Sequence, residues 1–229
     1  MSLTIIVPFY NEEKYIKQSV TNLIQASVGD VIYLVDDCST DKSLKIANEL
    51  VKENKKLLLF QKKLNEGKGS CVKHVINEIN TSHVIVHDAD LEQNPYDIKD
   101  LINLSMENPE ALILGSRISG KIKRVKHYSF LTIANYILAL LFSFVNFYRI
   151  SDISSGYLLY PTKFLKSISL KEKGFGLEVE ILSKFLKFNR EIYEVPISYT
   201  GRKYSEGKKI KLKDGLNILF KIIKYRFTN

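Results

Sequence analysis

The chain has 229 residues, 45% of them hydrophobic and 26% charged, which is sufficient for one large α/β domain with a substantial core. Its two cysteines, Cys38 and Cys71, exclude a disulfide framework and a cysteine-based zinc site, and they favour a reducing compartment. The net charge of +9 indicates anionic partners, such as phosphate groups, an acidic membrane face or nucleic acid.

Strand-like and helical segments alternate through the first half of the chain. Short apolar runs predict strands over residues 3–7, 30–35, 57–60, 84–86 and 111–114. Helical periodicity predicts a helix over residues 12–26 and further helices after residues 39–41, 65–69 and 94–95. This alternation predicts a Rossmann-like α/β fold, in which helices cover both faces of a mostly parallel sheet. Because a strand begins almost at residue 1, we expect no secretory signal.

Polar side chains follow each of the predicted strands. The carboxyl ends of parallel strands meet at one edge of a sheet, and ligands bind there in open α/β folds. The strand-end residues are Pro8, Tyr10, Glu12, Asp36, Asp37, Lys68, Asp88, Asp90, Glu92 and Arg117. Acids, a lysine, an arginine and glycines at five strand ends favour one site over five unrelated turns.

The acidic segment after the fourth strand is the most informative of these. Asp88, Asp90 and Glu92 stand at alternate positions directly after a buried apolar run. Such carboxylates can share Mg²⁺ or Mn²⁺, which binds a few protein oxygens together with phosphate oxygens of a substrate. The alternative is a surface loop whose acids cap the next helix.

The chain resembles the family 2 glycosyltransferases of the GT-A fold, and within them the polyprenyl-phosphate sugar transferases of the dolichyl-phosphate mannose and glucose synthase type. The resemblance covers nearly the whole chain. It is carried by the ordered segments VPFYNEE, VDDCSTD, NEGKGS, DADL, GSR, DISSGY, GLEVEIL and EVPISYTGRKYSEGKK. It implies one glycosyltransferase domain over residues 1–229, with a nucleotide-sugar-binding half (1–120) and an acceptor and membrane-interface half (121–229). It also implies inversion at the anomeric carbon of a hexose taken from UDP or GDP.

The resemblance also implies roles for individual residues. Asp90 would be the first ligand of a Mg²⁺ or Mn²⁺ ion, supported by Asp88 and Glu92. Pro8, Tyr10 and Glu12 would line the base pocket, and Asp37 would contact the base or ribose. Arg117 would contact the acceptor phosphate, and Arg202 would lie in a mobile loop over the active site.

The local sequence around some of these residues also suits a structural role. Lys68, between two glycines at a predicted helix start, suits a phosphate contact, although the short motif is weak. Asp36 and Asp37 could instead cap a helix, and Arg202 could belong to a solvated basic loop.

The acceptor decides whether the protein must supply a base. A phosphate acceptor is already a nucleophile at neutral pH, whereas a hydroxyl on a glycan, lipid or polymer needs a general base. The candidates for that base are Asp152, Glu178 and Glu180, of which the last two cannot both face the site from one helix. A catalytically silent sugar-nucleotide-binding protein is a further alternative. We expect no nucleic-acid partner, because the strand ends are acidic and no binding module is recognisable.

Residues 130–147 form the most apolar part of the chain, with Lys121, Lys123, Arg124, Lys126 and Arg149 as basic flanks. A buried helix, a helix pair lying at the bilayer surface and a membrane span are the alternatives; the basic flanks favour the second. A final helix over residues 213–227 has Leu216, Leu219, Phe220 and Ile223 on one face. We therefore expect a cytoplasmic protein, peripheral at the inner face of a membrane.

Overall fold

The computed structural model describes residues 1–122, 124–125, 129–203 and 212–228. Within these ranges the strands are β1 (Leu3–Phe9), β2 (Val31–Asp36), β3 (Leu57–Gln61), β4 (His83–Val86), β5 (Leu112–Ser116), β6 (Arg124–Val125), β7 (Leu158–Pro161), β8 (Ile192–Pro196) and β9 (Tyr199–Thr200). Seven of the described strands form one sheet in the order β3-β2-β1-β4-β7-β5-β8, and β6 pairs with β9 in a separate ribbon.

The sheet is mostly parallel, as predicted. Strand β1 pairs in parallel with β2 and β4, so Ile5 lies beside both Ile32 and Ile85. Strand β7 is the exception, because it runs antiparallel to both β4 and β5. The five predicted strands are all present, whereas β7 and β8 were not predicted. Strand β7 is an apolar run of only four residues, which does not distinguish a strand from a buried helix segment, and Glu194 interrupts the apolar pattern of β8.

The helices among the described residues cover both faces of the sheet. They are α1 (Ile16–Ala26), α2 (Ser43–Glu53), α3 (Lys68–Val75), α4 (Ile98–Glu107), α5 (Ser129–Asn146), α6 (Thr162–Ser167), α7 (Leu177–Phe188) and α8 (Leu212–Phe227). Short 3₁₀ turns over Ile76–Glu78 and Pro95–Asp97 extend α3 and precede α4. Helix α1 begins later than predicted, because residues 12–15 form a turn in which the Glu12 carbonyl accepts from the amides of Tyr15 and Ile16.

Two apolar cores lie on opposite faces of the sheet. One contains Val72, Phe142, Phe185 and Ile222, from α3, α5, α7 and α8. The other contains side chains of α1, α2 and α4, including Leu23. This sandwich of helix, sheet and helix directs the carboxyl ends of β1, β2 and β4 toward one open edge.

Helices α5 and α8 pack against each other and leave apolar side chains exposed. The apolar segment forms one helix, Ser129–Asn146, and not the expected pair. The spanning alternative requires a helix that is long and apolar enough to cross a membrane. The described residues contain no such helix. In α8 the predicted stripe of Leu216, Leu219, Phe220 and Ile223 is exposed, while Ile218, Ile222 and Tyr225 are buried.

One of the expected basic flanks, Arg124, has a structural role. Arg124 donates hydrogen bonds to the carbonyls of Ser116, Ser119 and Ile197, so its guanidinium holds a loop and does not project toward a surface. Lys123 and Lys126 lie outside the described residues.

Candidate active site

A cavity of about 430 Å³ opens at the carboxyl edge of the sheet. Its lining includes ten of the residues predicted above for the site, namely Pro8, Tyr10, Glu12, Asp37, Lys68, Asp88, Asp90, Glu92, Arg117 and Arg202. The sheet topology explains this convergence, because the parallel strands β1, β2, β3 and β4 all end at this edge.

The acidic turn after β4 presents its carboxylates to three different partners. The Lys68 ammonium lies 2.8 Å from the Asp88 carboxylate. Arg202 Nη2 lies 3.1 Å from Asp90 Oδ2, and Glu92 accepts hydrogen bonds from the Arg202 amide and the Tyr199 hydroxyl. Each of these three carboxylates therefore has a cation or a hydrogen-bond donor from another part of the chain as its partner.

Arg202 is buried among acids and is not part of a solvated basic loop. Its side chain is 12% exposed, and Nη1 lies 3.3 Å from the Glu12 carboxylate. Its guanidinium also lies over the ring of Tyr15, 5.3 Å from the centroid. Arg202 thus bridges Glu12, on the predicted nucleotide side, to Asp90, on the predicted metal side. Residues 204–207 of the predicted mobile loop lie outside the described residues.

Electrostatics make Asp90 the focus of this cluster. Burial, together with the neighbouring charges of Asp88 and Glu92, raises the pKa of Asp90 to about 7, although Arg202 acts in the opposite direction. Burial would also raise the pKa of Asp88, but the nearby Lys68 ammonium lowers it. A cation bound at Asp90 would relieve the repulsion among these carboxylates.

The carboxylates suit a hard divalent cation by donor type. No group of three or more His, Cys, Asp or Glu side chains converges on one point within the described ranges. Mg²⁺ needs only one or two protein carboxylates when water and substrate phosphates supply the other oxygens. Asp90 meets that requirement, provided that Arg202 releases it.

Lys68 begins α3 at a glycine-rich turn. Gly67 has φ +99°, and a Cβ there would lie 2.6 Å from the Lys173 carbonyl, so this close approach requires glycine. The Lys173 carbonyl accepts from the amide of Gly69. The Lys68 ammonium lies between Asp88 and Glu178, 2.9 Å from the latter. Lys68 therefore links the acidic turn to α7, at the edge where a diphosphate was predicted.

The two adjacent acids after β2 support loops. Asp37 is buried and accepts hydrogen bonds from the Lys62 ammonium at 2.5 Å and from the Gly67 amide at 2.6 Å. Asp36 accepts from the Ser39 amide, and Asp41 accepts from the Ser43 amide at the start of α2. Neither Asp36 nor Asp37 is the N-cap of α2, which is Lys42, and Asp37 fixes the turn that carries Lys68.

Comparison with known proteins identifies the family. Residues 4–168 match the model of glycosyl transferase family 2. The chain is a family 2 glycosyltransferase. It is 29% identical to a UDP-N-acetylglucosamine–dolichyl-phosphate N-acetylglucosaminyltransferase of Methanococcus voltae, covering 96% of this chain and 94% of the relative. A dolichol-phosphate mannosyltransferase of Pyrococcus furiosus is 27% identical, covering 91% of this chain and 59% of that protein.

A solved structure agrees with the fold of this glycosyltransferase. Glucosyl-3-phosphoglycerate synthase from Mycobacterium tuberculosis, crystallised with Mn²⁺, UDP-glucose and phosphoglyceric acid, matches with a TM-score of 0.75. The match covers 98% of this chain and 79% of that chain, at 17% sequence identity. The GT-A architecture predicted from the ordered motifs is thereby confirmed.

On the side of the glycosyltransferase predicted to bind the acceptor, Arg117 lines the cavity and forms a forked ion pair with Asp152. Arg117 Nε and Nη2 each donate to Asp152 at 2.8 Å, and Asp152 is fully buried. Burial would raise the pKa of Asp152, but the Arg117 charge holds it below its usual value. Asp152, one of the three base candidates, therefore has its oxygens committed to Arg117.

The other two base candidates point to different sides of α7, as their spacing predicted. Glu178 lines the cavity and pairs with Lys68. Glu180 is fully buried, accepts from the amides of Lys171 and Glu172, and pairs with Lys184. Glu180 therefore holds a loop and is not a base in this cavity.

Sequence reasoning missed several residues that shape the site. His87 binds the Tyr157 hydroxyl at 2.6 Å, and burial lowers its pKa to about 4, so this imidazole is neutral and anchors the end of β4. The Tyr199 ring stacks on Arg117, 5.1 Å from the guanidinium carbon. Only the motif that contains Tyr199 could have drawn attention to it.

Proposed function

We propose that this glycosyltransferase moves a hexose or N-acetylhexosamine from a UDP or GDP donor to a polyprenyl phosphate, with inversion, at the inner face of a membrane. One observation carries the choice of acceptor: the base candidates that lie in or behind the cavity, Glu178 and Asp152, are each paired with a cation. A hydroxyl acceptor would need one of them free, whereas a phosphate acceptor needs no base. The names of the relatives from Methanococcus voltae and Pyrococcus furiosus are consistent with this acceptor.

The donor half of the reaction would use the acidic edge. Pro8, Tyr10 and Glu12 would border the base, and Lys68, at the start of α3, would approach the diphosphate. Asp90 would be the main protein ligand of a Mg²⁺ or Mn²⁺ ion, with Asp88 and Glu92 in support. Such an ion, when bound, orients the diphosphate and stabilises its negative charge as it leaves. Arg202 would release Asp90 and neutralise the same departing charge.

The acceptor half would use Arg117 and an apolar wall. The cavity lining also includes apolar side chains from α5, α8 and a loop, namely Leu131, Leu138, Ile218 and Phe175. Arg117 also lines it, so a phosphate at Arg117 could have its hydrocarbon chain directed along the apolar wall. A polyprenyl phosphate combines these two chemistries in one molecule.

The outer surfaces of α5 and α8 support action at a membrane surface. Phe144 and Phe147 are each 77% exposed, and Phe220 is 64% exposed. Further exposed apolar side chains surround them, including Ile133, Tyr136, Ile137, Leu140, Leu216 and Ile223. So many exposed apolar side chains on two helices that pack together are typical of an interface with lipid or another protein.

Two assays test the proposal. Thermal shift with UDP- and GDP-hexoses and UDP-N-acetylglucosamine, each with Mn²⁺, identifies the donor, because a ligand of the native state raises the melting temperature. The selected donor is then incubated with dolichyl or undecaprenyl phosphate, and the lipid is analysed by mass spectrometry. We expect a polyprenyl phosphate sugar together with the nucleoside diphosphate. Transfer only to glycan or lipid hydroxyls, or donor binding without transfer to any acceptor, would refute the proposal.

A further inference from the structure

Arg117 is held from behind by a carboxylate that does not reach the cavity. Asp152 is fully buried and is absent from the cavity lining, whereas Arg117 belongs to it. Besides the two side-chain hydrogen bonds, Asp152 Oδ2 accepts from the backbone amide of Arg117 at 3.0 Å. Asp152 can therefore influence a substrate only through its hydrogen-bond partners, among which Arg117 and Asn135 line the cavity.

A second residue fixes Asp152 in turn. Asn135, on the inner face of α5, donates from Nδ2 to Asp152 Oδ1 at 2.9 Å. The Ser154 amide reaches the same oxygen at 3.2 Å. The carboxylate plane is thus set from two sides, and the Arg117 guanidinium also lies against the ring of Tyr199. The position and the in-plane orientation of the Arg117 guanidinium are therefore both fixed.

The fork leaves one edge of the guanidinium for a ligand. Asp152 takes the edge formed by Nε and Nη2, so the end formed by Nη1 and Nη2 remains for a two-point grip on phosphate oxygens. A rotation of the carboxylate would turn this end away from its target. Since Asn135 belongs to α5, the alignment of the Arg117 guanidinium depends on the position of that helix.

We propose that Asn135 and Asp152 are positioning residues, which hold the Arg117 guanidinium so that its free end meets the acceptor phosphate. The proposal follows from the proposed function, because it takes a phosphate as the acceptor. It gives Asp152 a role other than that of general base. It also connects the helix with the exposed apolar face to the acceptor-binding arginine through two side chains, Asn135 and Asp152.

The test is a double-mutant cycle between Asn135→Leu and Arg117→Lys, with farnesyl phosphate as a short polyprenyl phosphate acceptor. Leucine has nearly the shape of asparagine but cannot donate to Asp152. Lysine keeps a cation beside the buried Asp152, so that variant is expected to fold, but its point charge has no fork to orient. Both KM values and kcat are measured for wild type, the single variants and the double variant, using the donor selected above.

We expect Asn135→Leu to raise the KM for farnesyl phosphate about tenfold, as misalignment of a binding group does, while the donor KM stays unchanged. In the Arg117→Lys background the same substitution should change that KM by less than about twofold, because the two residues act as one unit. If Asn135 had only a structural role, its substitution would change the KM for both donor and acceptor or for neither. Asn146→Leu is the matched control: Asn146 lies on the same helix but donates to the Phe142 carbonyl of its own helix.

The possible failures are distinguishable. If wild type binds and glycosylates farnesyl phosphate but Asn135→Leu leaves its KM unchanged, or if the two substitutions are additive, the positioning role is wrong and the proposed function stands. If wild type neither binds nor glycosylates farnesyl phosphate, the proposed acceptor is wrong and the positioning role fails with it. Should Asn135→Leu fail to fold, Asn135→Ser replaces it in the same cycle with the same expected pattern.

Discussion

Two arginines line the same cavity, and they are held in different ways. Arg117 and Arg202 are similarly buried, with side chains 16% and 12% exposed. Arg117 has one ionic partner among the described residues, the fully buried Asp152, in a short fork. Arg202 is shared among Glu12, Asp90 and Glu92, at distances of 3.1 to 3.8 Å, and all three acids line the cavity.

This difference indicates which arginine keeps its carboxylate partner and which arginine can be replaced by another cation. A carboxylate without access to solvent cannot exchange its partner without being left as an unpaired buried charge. The acids around Arg202 face the cavity, so a metal ion with a diphosphate can replace the arginine there. We infer that Arg117 is a fixed anchor and that Arg202 takes the place of a cation until the donor arrives.

The largest expected effect concerns the acid that Arg202 and a metal ion would share. Asp90→Asn should lower turnover by at least about a hundredfold, because the proposed main protein ligand of the metal is lost. Stability should change little, since removing the charge also relieves repulsion from Asp88 and Glu92. Steady-state kinetics and urea unfolding measure the two effects. Asp100→Asn, at an exposed site on α4, is the control; a fully active Asp90→Asn enzyme would contradict the assignment.

The contrasting substitution on the fixed side should act mainly on stability. Asp152→Ala leaves the Arg117 guanidinium buried without a counter-ion, so the free energy of unfolding should fall by about 3 kcal/mol. Urea denaturation checks this value against Asp90→Ala, for which we expect a smaller loss. Equal losses at the two positions would remove the distinction between a fixed and an exchangeable arginine.

Removal of Arg202 should have opposite effects on metal binding and on catalysis. Without donor, Arg202→Gln should bind Mn²⁺ about tenfold more tightly, because the ion no longer competes with the guanidinium for Asp90. Turnover should fall, because the charge that would stabilise the leaving diphosphate is gone. Titration of free Mn²⁺ by electron paramagnetic resonance gives the affinity. The control is Arg190→Gln, because the Arg190 guanidinium contacts the carbonyls of Asn146 and Phe147. Unchanged or weaker Mn²⁺ binding by Arg202→Gln would refute the exchange.

The smallest effect concerns the exposed apolar face of α5, the helix whose Asn135 bonds the partner of the fixed arginine. Phe144→Ser should weaken binding to anionic vesicles about fivefold, as the loss of one partly inserted aromatic side chain does. Vesicle co-sedimentation measures it, with Met106→Ser as the control, because Met106 is an exposed apolar residue of α4. Equal losses for both variants would show that α5 has no special role at the membrane.

The strand ends could be predicted from the sequence because each follows a short apolar run, and parallel strands place their carboxyl ends together. That was enough to bring Asp90, Lys68 and Arg117 into one cavity. The pairing of Arg202 with Glu12 and Asp90 could not be predicted, since it joins residues more than a hundred positions apart. The buried face of α8 could not be predicted either. Ile218 and Ile222 have the same four-residue spacing as Leu216 and Phe220, so periodicity alone does not show which of these two faces is buried.

The choice of a phosphate acceptor is tested most directly with two lipids that differ only in the phosphate. Undecaprenyl phosphate and undecaprenol are incubated separately with the purified glycosyltransferase, its donor and Mn²⁺, and the lipid products are identified by mass spectrometry. We predict a sugar on the phosphate lipid and none on the alcohol. A sugar on undecaprenol, with undecaprenyl phosphate unchanged, would contradict a mechanism that supplies no general base.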